Sequence, residues 1–487
     1  MQAVTDAIGD LFLKWNKKKP QRIELLPQAG SDRRYYRIHT DTRSWIATHG
    51  NNVPENEAFI YFSNHFRERN LPVPEILAVS DDKTIYLQED LGDISLLNRL
   101  EAEGFTPAIY DLFKFSLEQI ATLQVKGHDG LDYSRCLTNQ EFGKQAILAD
   151  LLYFKYYFLD ALRKPYDKQK LIDDFDALSS YLTHTEYKYF MFRDFQSRNI
   201  MIKEDNSVGF IDYQGGMRGA PQYDVASMLW QARANLPDEW KNNLLDDYMN
   251  AFEQLTGQPL DRAIFKSQYN GYVLIRLLQV LGAYGFRGLF ERKAQFLTSI
   301  PQALNNLKWF VEDQSLGIGV PEFRKVLETC ISDEIIERFT PLRADDDTPL
   351  VVKVHSFSYK KGIPSDETEN GGGYVFDCRG ILNPGRLEEF KWLTGRDKEV
   401  KDFLEQQTRM PEFLNSVFDI VDITVEDFIR RKFKHLVINF GCTGGQHRSV
   451  FAADATARHL RNKFNVKVEL THVEQEAKKW INKPPII

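Results

Sequence analysis

Four cysteines in 487 residues (Cys136, Cys330, Cys378 and Cys442) are too few and too scattered for a disulfide framework or a zinc site. A reducing compartment is therefore expected. No unbroken apolar run approaches the roughly 18–20 residues of a membrane helix. The N-terminus, Met1-Gln2-Ala3-Val4-Thr5-Asp6, lacks the basic stretch and apolar core of a signal peptide. Together these absences predict a cytoplasmic chain without a membrane partner. Basic residues are also in deficit, 62 against 69 acidic, and the net charge of −7 argues against general nucleic-acid affinity. Internal repeats and long low-complexity stretches are missing. Aromatic residues are abundant, with 34 Phe and 21 Tyr, and 43% apolar with 27% charged residues describes an ordinary globular chain. Its length allows two to four domains.

The first ninety residues read as short strands and turns: Arg22 to Leu26, Tyr35 to Ile38 and Ser44 to Thr48 form a meander, with a further strand at Thr84 to Glu89. A helix from about Glu55 to Glu68 follows Pro54, which suits a first helical turn. From about 105 to 190, and again from Tyr223 to about Leu327, apolar residues recur at three- and four-residue spacing, as in Ile109, Leu112, Phe113 and Leu117. Residues 336–349, with two prolines around Asp345-Asp346-Asp347, read as a linker. Beyond it, strands Val351 to Phe357 and His435 to Phe440 alternate with helices, the grammar of a small α/β domain.

Between the helical stretches lies Met191-Phe192-Arg193-Asp194-Phe195-Gln196-Ser197-Arg198-Asn199, followed by Phe210-Ile211-Asp212-Tyr213. ATP-dependent phosphoryl transfer needs this pattern. Asp194 can accept the proton of an attacking hydroxyl, while Asn199 and Asp212 hold the magnesium that neutralises the phosphates. A strand-like Val208 to Ile211 delivers Asp212 at its end, and Gly30-Ser31, between N-terminal strands, can present N–H groups to phosphate. A strand-rich region followed by a helical one is the order of two kinase lobes.

These stretches, with Gly30 to Arg37, Gln88-Glu89-Asp90-Leu91-Gly92-Asp93 and Gly219 to Val225, resemble the aminoglycoside phosphotransferase/choline kinase family. Within that family they are most similar to anomeric N-acetylmuramate/N-acetylglucosamine kinases of cell-wall sugar recycling. The resemblance implies an α+β, protein-kinase-like bilobal domain over residues 1–335, with a β-rich lobe to about 90 and a helical lobe from about 91. It also implies ATP and Mg2+ as cofactors and an amino sugar as substrate. Asp194 would be the base, Asn199 and Asp212 the metal ligands, and Gln88, Glu89 and Leu91 part of the adenine-contacting hinge; Gly30, Ser31, Arg33 and Arg34 complete the nucleotide site. Asp224 is expected to anchor the catalytic loop. Two departures stand out: Phe192 replaces the usual His, and the strand Trp45-Ile46-Ala47-Thr48-His49 lacks the ATP-binding Lys. Arg33 or Arg34 is expected to supply that charge.

A second signature is Cys442-Thr443-Gly444-Gly445-Gln446-His447-Arg448-Ser449, set between a strand and a helix expected from Val450 to about Arg461. Small residues let successive N–H groups converge on an oxyanion, the helix N-terminus adds positive potential, and Arg448 can grip phosphate with a fork. The Cys-x5-Arg-Ser spacing is also that of tyrosine-phosphatase loops, in which Cys442 would be the nucleophile. With Ser356 to Pro364, Tyr374 to Arg379, Asn383-Pro384 and Thr394-Gly395-Arg396-Asp397, however, residues 350–487 resemble the C-terminal domain of RapZ-type proteins. That resemblance implies binding of an amino-sugar phosphate such as glucosamine-6-phosphate through Thr443, Gly444, Gly445, His447 and Arg448. The P-loop domain of those proteins is not found before the linker, and the tail is not basic, so RNA is not an expected partner. His355 and His472 read as core or surface histidines. Besides an amino-sugar kinase with a sensing domain, two alternatives stand: a catalytically weak metabolite-sensing adaptor and a Cys442-dependent phosphatase.

Overall fold

The computed structural model describes residues 2–482 apart from 28–32, 42, 186, 292–293, 367 and 369–371. It divides into two compact units, Met1–Ala283 with Gln302–Ile335, and Tyr284–Pro301 with Ile336–Ile487.

The first unit opens with a helix, Gln2–Asn16, where strands and turns alone were expected. Its Ile8 and Phe12, one turn apart, are fully buried against Tyr36, Ile38, Ala47 and Leu87 of the neighbouring sheet. That sheet is antiparallel, in the order β1 (Arg22–Leu25), β2 (Arg34–His39), β3 (Ser44–His49), β5 (Ile85–Glu89) and β4 (Ile76–Val79). The helix Val53–Arg67 is capped by Asn52, whose side chain accepts from Glu55 N–H, and carries a proline in its first turn.

The helical part is built around Pro107–His128 and Arg262–Tyr284. Between its helices lie four short strands: β6 (Tyr189–Met191), β7 (Ile200–Ile202), β8 (Val208–Phe210) and β9 (Met217–Gly219). β6 pairs with β9 and β7 with β8, both antiparallel. By length and composition the stretch Arg262–Phe290 is apolar enough to cross a membrane, with an 18-residue window of mean hydropathy 1.4, which corrects the expectation that no apolar run approaches that length. More than half of that window (56%) is buried, and the stretch carries the buried polar residues Gln268 and Arg276.

The second unit is a four-stranded parallel sheet, ordered β11 (Tyr374–Asp377), β12 (His435–Cys442), β10 (Val351–Ser358) and β13 (Lys467–His472). Parallel strands need crossovers, supplied in part by helices Met410–Arg430 and Arg448–Phe464. Buried Val352, Val354, Ile438 and Phe440 meet Val417, Val421, Ala453 and Leu460 in one core. Two of its histidines serve structure: His472 is buried and hydrogen-bonded to Ser356, and His355 bonds Asn439.

Candidate functional site

The loop between β6 and β7 is held from below. Asp224, fully buried at the start of helix Gln222–Leu229, accepts from the backbone N–H groups of Phe192 (2.8 Å) and Arg193 (3.0 Å) and from Gln124 Nε2 (2.8 Å). Burial pushes its carboxyl up to about 6 despite those three donors. Phe192 packs among Phe195, Phe210 and Tyr213 with no exposure, so it serves the core. Arg193 has a left-handed backbone (φ 79°), and its Nη2 alone donates to both oxygens of Asp150, 2.9 Å to each.

Asp194 follows, partly exposed, with both oxygens occupied. Oδ1 accepts from Gln196 Nε2 (2.7 Å) and Arg276 Nη2 (2.9 Å), and Oδ2 from Arg198 Nη2 (3.2 Å). Burial alone would raise its pKa, yet Arg276 and Arg198 outweigh that and hold it below the ordinary aspartate value. Arg276 is itself buried, with Nη1 on Gln279.

Asn199 closes the loop and Asp212 follows β8. The backbone N–H of Ile211 donates to Asn199 O (3.1 Å), which sets the two residues side by side at the open end of the β7–β8 hairpin. Asn199 Nδ2 donates to the Asp194 carbonyl (2.9 Å), leaving Oδ1 as an acceptor. Asp212, also left-handed (φ 72°), receives Gln214 Nε2 (2.9 Å) on Oδ1. Among the described residues no group of three or more His, Cys, Asp or Glu gathers around a metal position. Two protein oxygens fit Mg2+, which takes few protein ligands and completes its shell with water and substrate phosphates.

Arg33, 4% exposed just before β2, reaches Asp212 Oδ1 with Nη2 (2.8 Å) and Glu55 with Nε (3.4 Å). Burial would favour loss of its proton, but Tyr35, Tyr86, Asp212 and Glu55 keep it charged. Arg34 makes no ion pair among the described residues, so only one of the two candidate arginines is placed at Asp212. The other nucleotide-side residues divide. Gly30 and Ser31 lie outside the described residues. Gln88 is buried, with Oε1 unpartnered among the described residues, and Glu89 N–H is taken by the Glu75 carbonyl (3.0 Å). Leu91 rests on Gly209 of β8, where an added Cβ would come within 2.7 Å of its Cδ1. The intervening Asp90 is turned away by Arg37 and Ser44 (2.6 Å each).

Sequence reasoning did not single out Arg276, Asp150 or Glu55 for the site. A signal existed for the first: a lone Arg inside the apolar run Val273-Leu274-Ile275-Arg276-Leu277-Leu278 calls for a buried acceptor.

In the second unit the Cys442–Ser449 loop joins β12 to helix Arg448–Phe464, which begins two residues earlier than expected. Cys442 Sγ accepts from Gly445 N–H (3.2 Å) and lies 3.1 Å from Ser449 Oγ. Gly445 needs its left-handed φ of 61°, and a Cβ there would strike Glu474. Thr443 and Gly444 are exposed at the loop tip. His447 is buried, within hydrogen-bonding distance of the Phe390 carbonyl (2.9 Å), and burial lowers its pKa. Arg448 Nη1 donates to the carbonyls of Arg379 (3.0 Å) and Ile381 (2.7 Å). Part of its fork is thus committed to the fold, which weakens the case for a phosphatase built on Cys442.

A β-rich lobe, a helical lobe and this loop geometry define the first unit as protein-kinase-like. Residues 22–259 match the sequence model of the phosphotransferase enzyme family, and residues 350–476 match that of the RapZ C-terminal domain. The chain therefore joins a domain of the phosphotransferase enzyme family to a RapZ C-terminal domain. A nucleotide-binding protein of Endomicrobium trichonymphae is 39% identical over 123 residues, 25% of this chain and 41% of the relative. One from Solibacter usitatus is 38% identical over 130 residues, 27% and 38% of the two chains. The chain thus spans well under two thirds of the length of these relatives. Among solved structures, the choline kinase LicA of Streptococcus pneumoniae is 13% identical, with a TM-score of 0.42 over 64% of this chain and 99% of that one. A likeness at that level says nothing about substrate.

Proposed function

We propose that this chain is an ATP- and Mg2+-dependent kinase whose acceptor is the anomeric hydroxyl of an amino sugar of the N-acetylmuramate or N-acetylglucosamine type, acting in the cytoplasm in cell-wall sugar recycling. In this reading residues 1–335 catalyse, 336–349 link, and 350–487 bind an amino-sugar phosphate such as glucosamine-6-phosphate. The observation that carries it is the gathering of Asp194, Asn199 and Asp212 at one end of the β7–β8 hairpin, with Arg33 on Asp212.

Asp194 orients the acceptor hydroxyl and takes its proton as oxygen bonds to the γ-phosphorus and the bond to the ADP oxygen breaks. Two guanidinium groups make Asp194 a weak base, which suits a loose transition state where proton transfer is late. It also suits an anomeric hydroxyl, more acidic than an ordinary alcohol. Mg2+, held by Asn199 Oδ1 and Asp212, would neutralise charge on the phosphates. Arg33 adds a positive charge at the same carboxylate and also pairs with Glu55 of helix Val53–Arg67, as the strand Lys of protein kinases pairs with a helix Glu.

The test is transfer from labelled ATP to muramic, glucosamine and galactosamine derivatives, with Asp194→Asn as control. N-acetylated sugars should be labelled at the anomeric position, and the variant should lose about 100-fold or more. Label on no sugar in the panel, or equal turnover by the variant, would overturn the reading. For the second domain, glucosamine-6-phosphate should shift turnover or the thermal midpoint, and no change in either would exclude it as ligand.

A further inference from the structure

The second unit carries another electropositive feature, apart from the Cys442–Ser449 loop. A cleft of about 440 Å³ is lined by Arg396, Lys401, Asp454, Arg458, Arg461 and Asn462, with Leu470 of β13 at its edge. Four of these side chains are cationic and one is anionic, in a chain whose net charge is −7. Asp454, Arg458, Arg461 and Asn462 fall on one face of helix Arg448–Phe464, at the spacing that brings side chains of successive turns together. Lys401 comes from helix Lys398–Gln406.

The cations are not equivalent. Arg396 is fixed by a two-pronged pair with Asp454 (2.9 and 3.2 Å), by His472 (3.1 Å) and by the Trp480 ring, 4.7 Å from its guanidinium carbon. Arg461 is fixed by the Val468 carbonyl (2.9 Å). Arg343, just outside the lining, donates to the Asn462 carbonyl (3.2 Å). Among the described residues Lys401 and Arg458 make no ion pair or side-chain hydrogen bond, although both act on the carboxyl of nearby Glu405. Two anchored guanidinium groups thus flank two uncommitted cations.

We infer that this cleft is a second anion site, taking a small phosphorylated ligand between Lys401 and Arg458 while Arg461 and Arg396 set its walls. Its volume is that of a small-molecule site. Fork-shaped donors suit phosphate oxygens. A nucleic acid is disfavoured because its affinity needs many cations along a track, whereas here the cations converge and Asp454 sits among them. The cleft also has a short connection to the loop: Gly395, next to Arg396, donates its N–H to the Gln446 carbonyl (3.0 Å).

The test is calorimetric titration of the full chain with sodium tripolyphosphate, with EDTA present, comparing wild type with Lys401→Gln/Arg458→Gln. Both side chains are uncommitted, so the variant should keep the wild-type thermal midpoint. Its affinity for one class of site should fall about tenfold or more, in line with loss of charge-assisted bonds. Thr443→Val, at the loop tip, should leave that class unchanged. Identical isotherms for wild type and the double variant would overturn the proposal. So would loss of the same binding class in Thr443→Val. A single-stranded RNA that binds the same residues with affinity rising with its length, well above tripolyphosphate, would replace it with a nucleic-acid surface.

Discussion

Replacing Arg33 with Met tests the site at its most exposed assumption, because the sequence offers no strand lysine. The side chain lies 2.8 Å from Asp212 and 3.4 Å from Glu55 and is almost wholly shielded from water, while its partners are 34% and 19% exposed. Breaking a fully buried pair costs about 3–5 kcal/mol. The partial exposure of both carboxylates reduces this to about 1–3 kcal/mol of stability. The larger effect should fall on nucleotide use. A bond to a charged group is worth about 1.5–3 kcal/mol, and each 1.4 kcal/mol is tenfold, so the KM for ATP should rise about 10- to 100-fold. Arg34→Met should change it little. Initial rates against ATP concentration at saturating acceptor, with a thermal melt of each variant, measure both. A KM for ATP unchanged in a folded Arg33→Met protein would refute the role assigned to this residue.

Three further outcomes follow from the geometry. Asp224 has its pKa raised by burial to about 6 from 3.8, so its ionisation burdens the fold above about pH 6 and ceases to do so as pH falls toward 4. Against Asp224→Asn, wild type should therefore gain up to about 3 kcal/mol between pH 7 and pH 4; parallel denaturation midpoints across that range would contradict this. Phe192→Ala removes a fully buried ring and should cost about 3–5 kcal/mol in denaturant unfolding of the first unit; a loss below about 1 kcal/mol would place the residue outside the core. Arg448→Ala takes both donated bonds from the Arg379 and Ile381 carbonyls and should destabilise the second unit by about 2–4 kcal/mol even without ligand; an unchanged unfolding midpoint would mean its role is confined to ligand binding.

What could be read from the chain alone follows from how local each signal is. The meander of β1 to β3, the helix after Pro54 and strands β10 and β12 rest on alternation, a proline and β-branched runs, all within a few residues. The helix Gln2–Asn16 was missed because its buried stripe is short, Ile8 and Phe12, and becomes legible only against the sheet it covers. β4, β11 and β13 were missed for a related reason: four to six mixed residues make a strand only when a neighbour accepts their hydrogen bonds. At the candidate site, the residues within one motif were easily picked out. Arg276, 82 positions from Asp194, was not, and nor was the choice of Arg33 over Arg34. Both depend on which side chain folding turns inward.

The left-handed backbone at Arg193 and Asp212 has a consequence for any attempt to harden this protein. Each non-glycine residue in that conformation carries about 1 kcal/mol or more of local strain. Glycine would relieve it at both places, yet neither exchange should harden the protein, because each gives up an ion pair worth more than the strain, about 1–3 kcal/mol or more. The first would strip Asp150 of its cation, and the second would remove the carboxylate that Arg33 holds. A screen that rewards heat resistance should therefore leave both strained residues in place, together with the charges they carry.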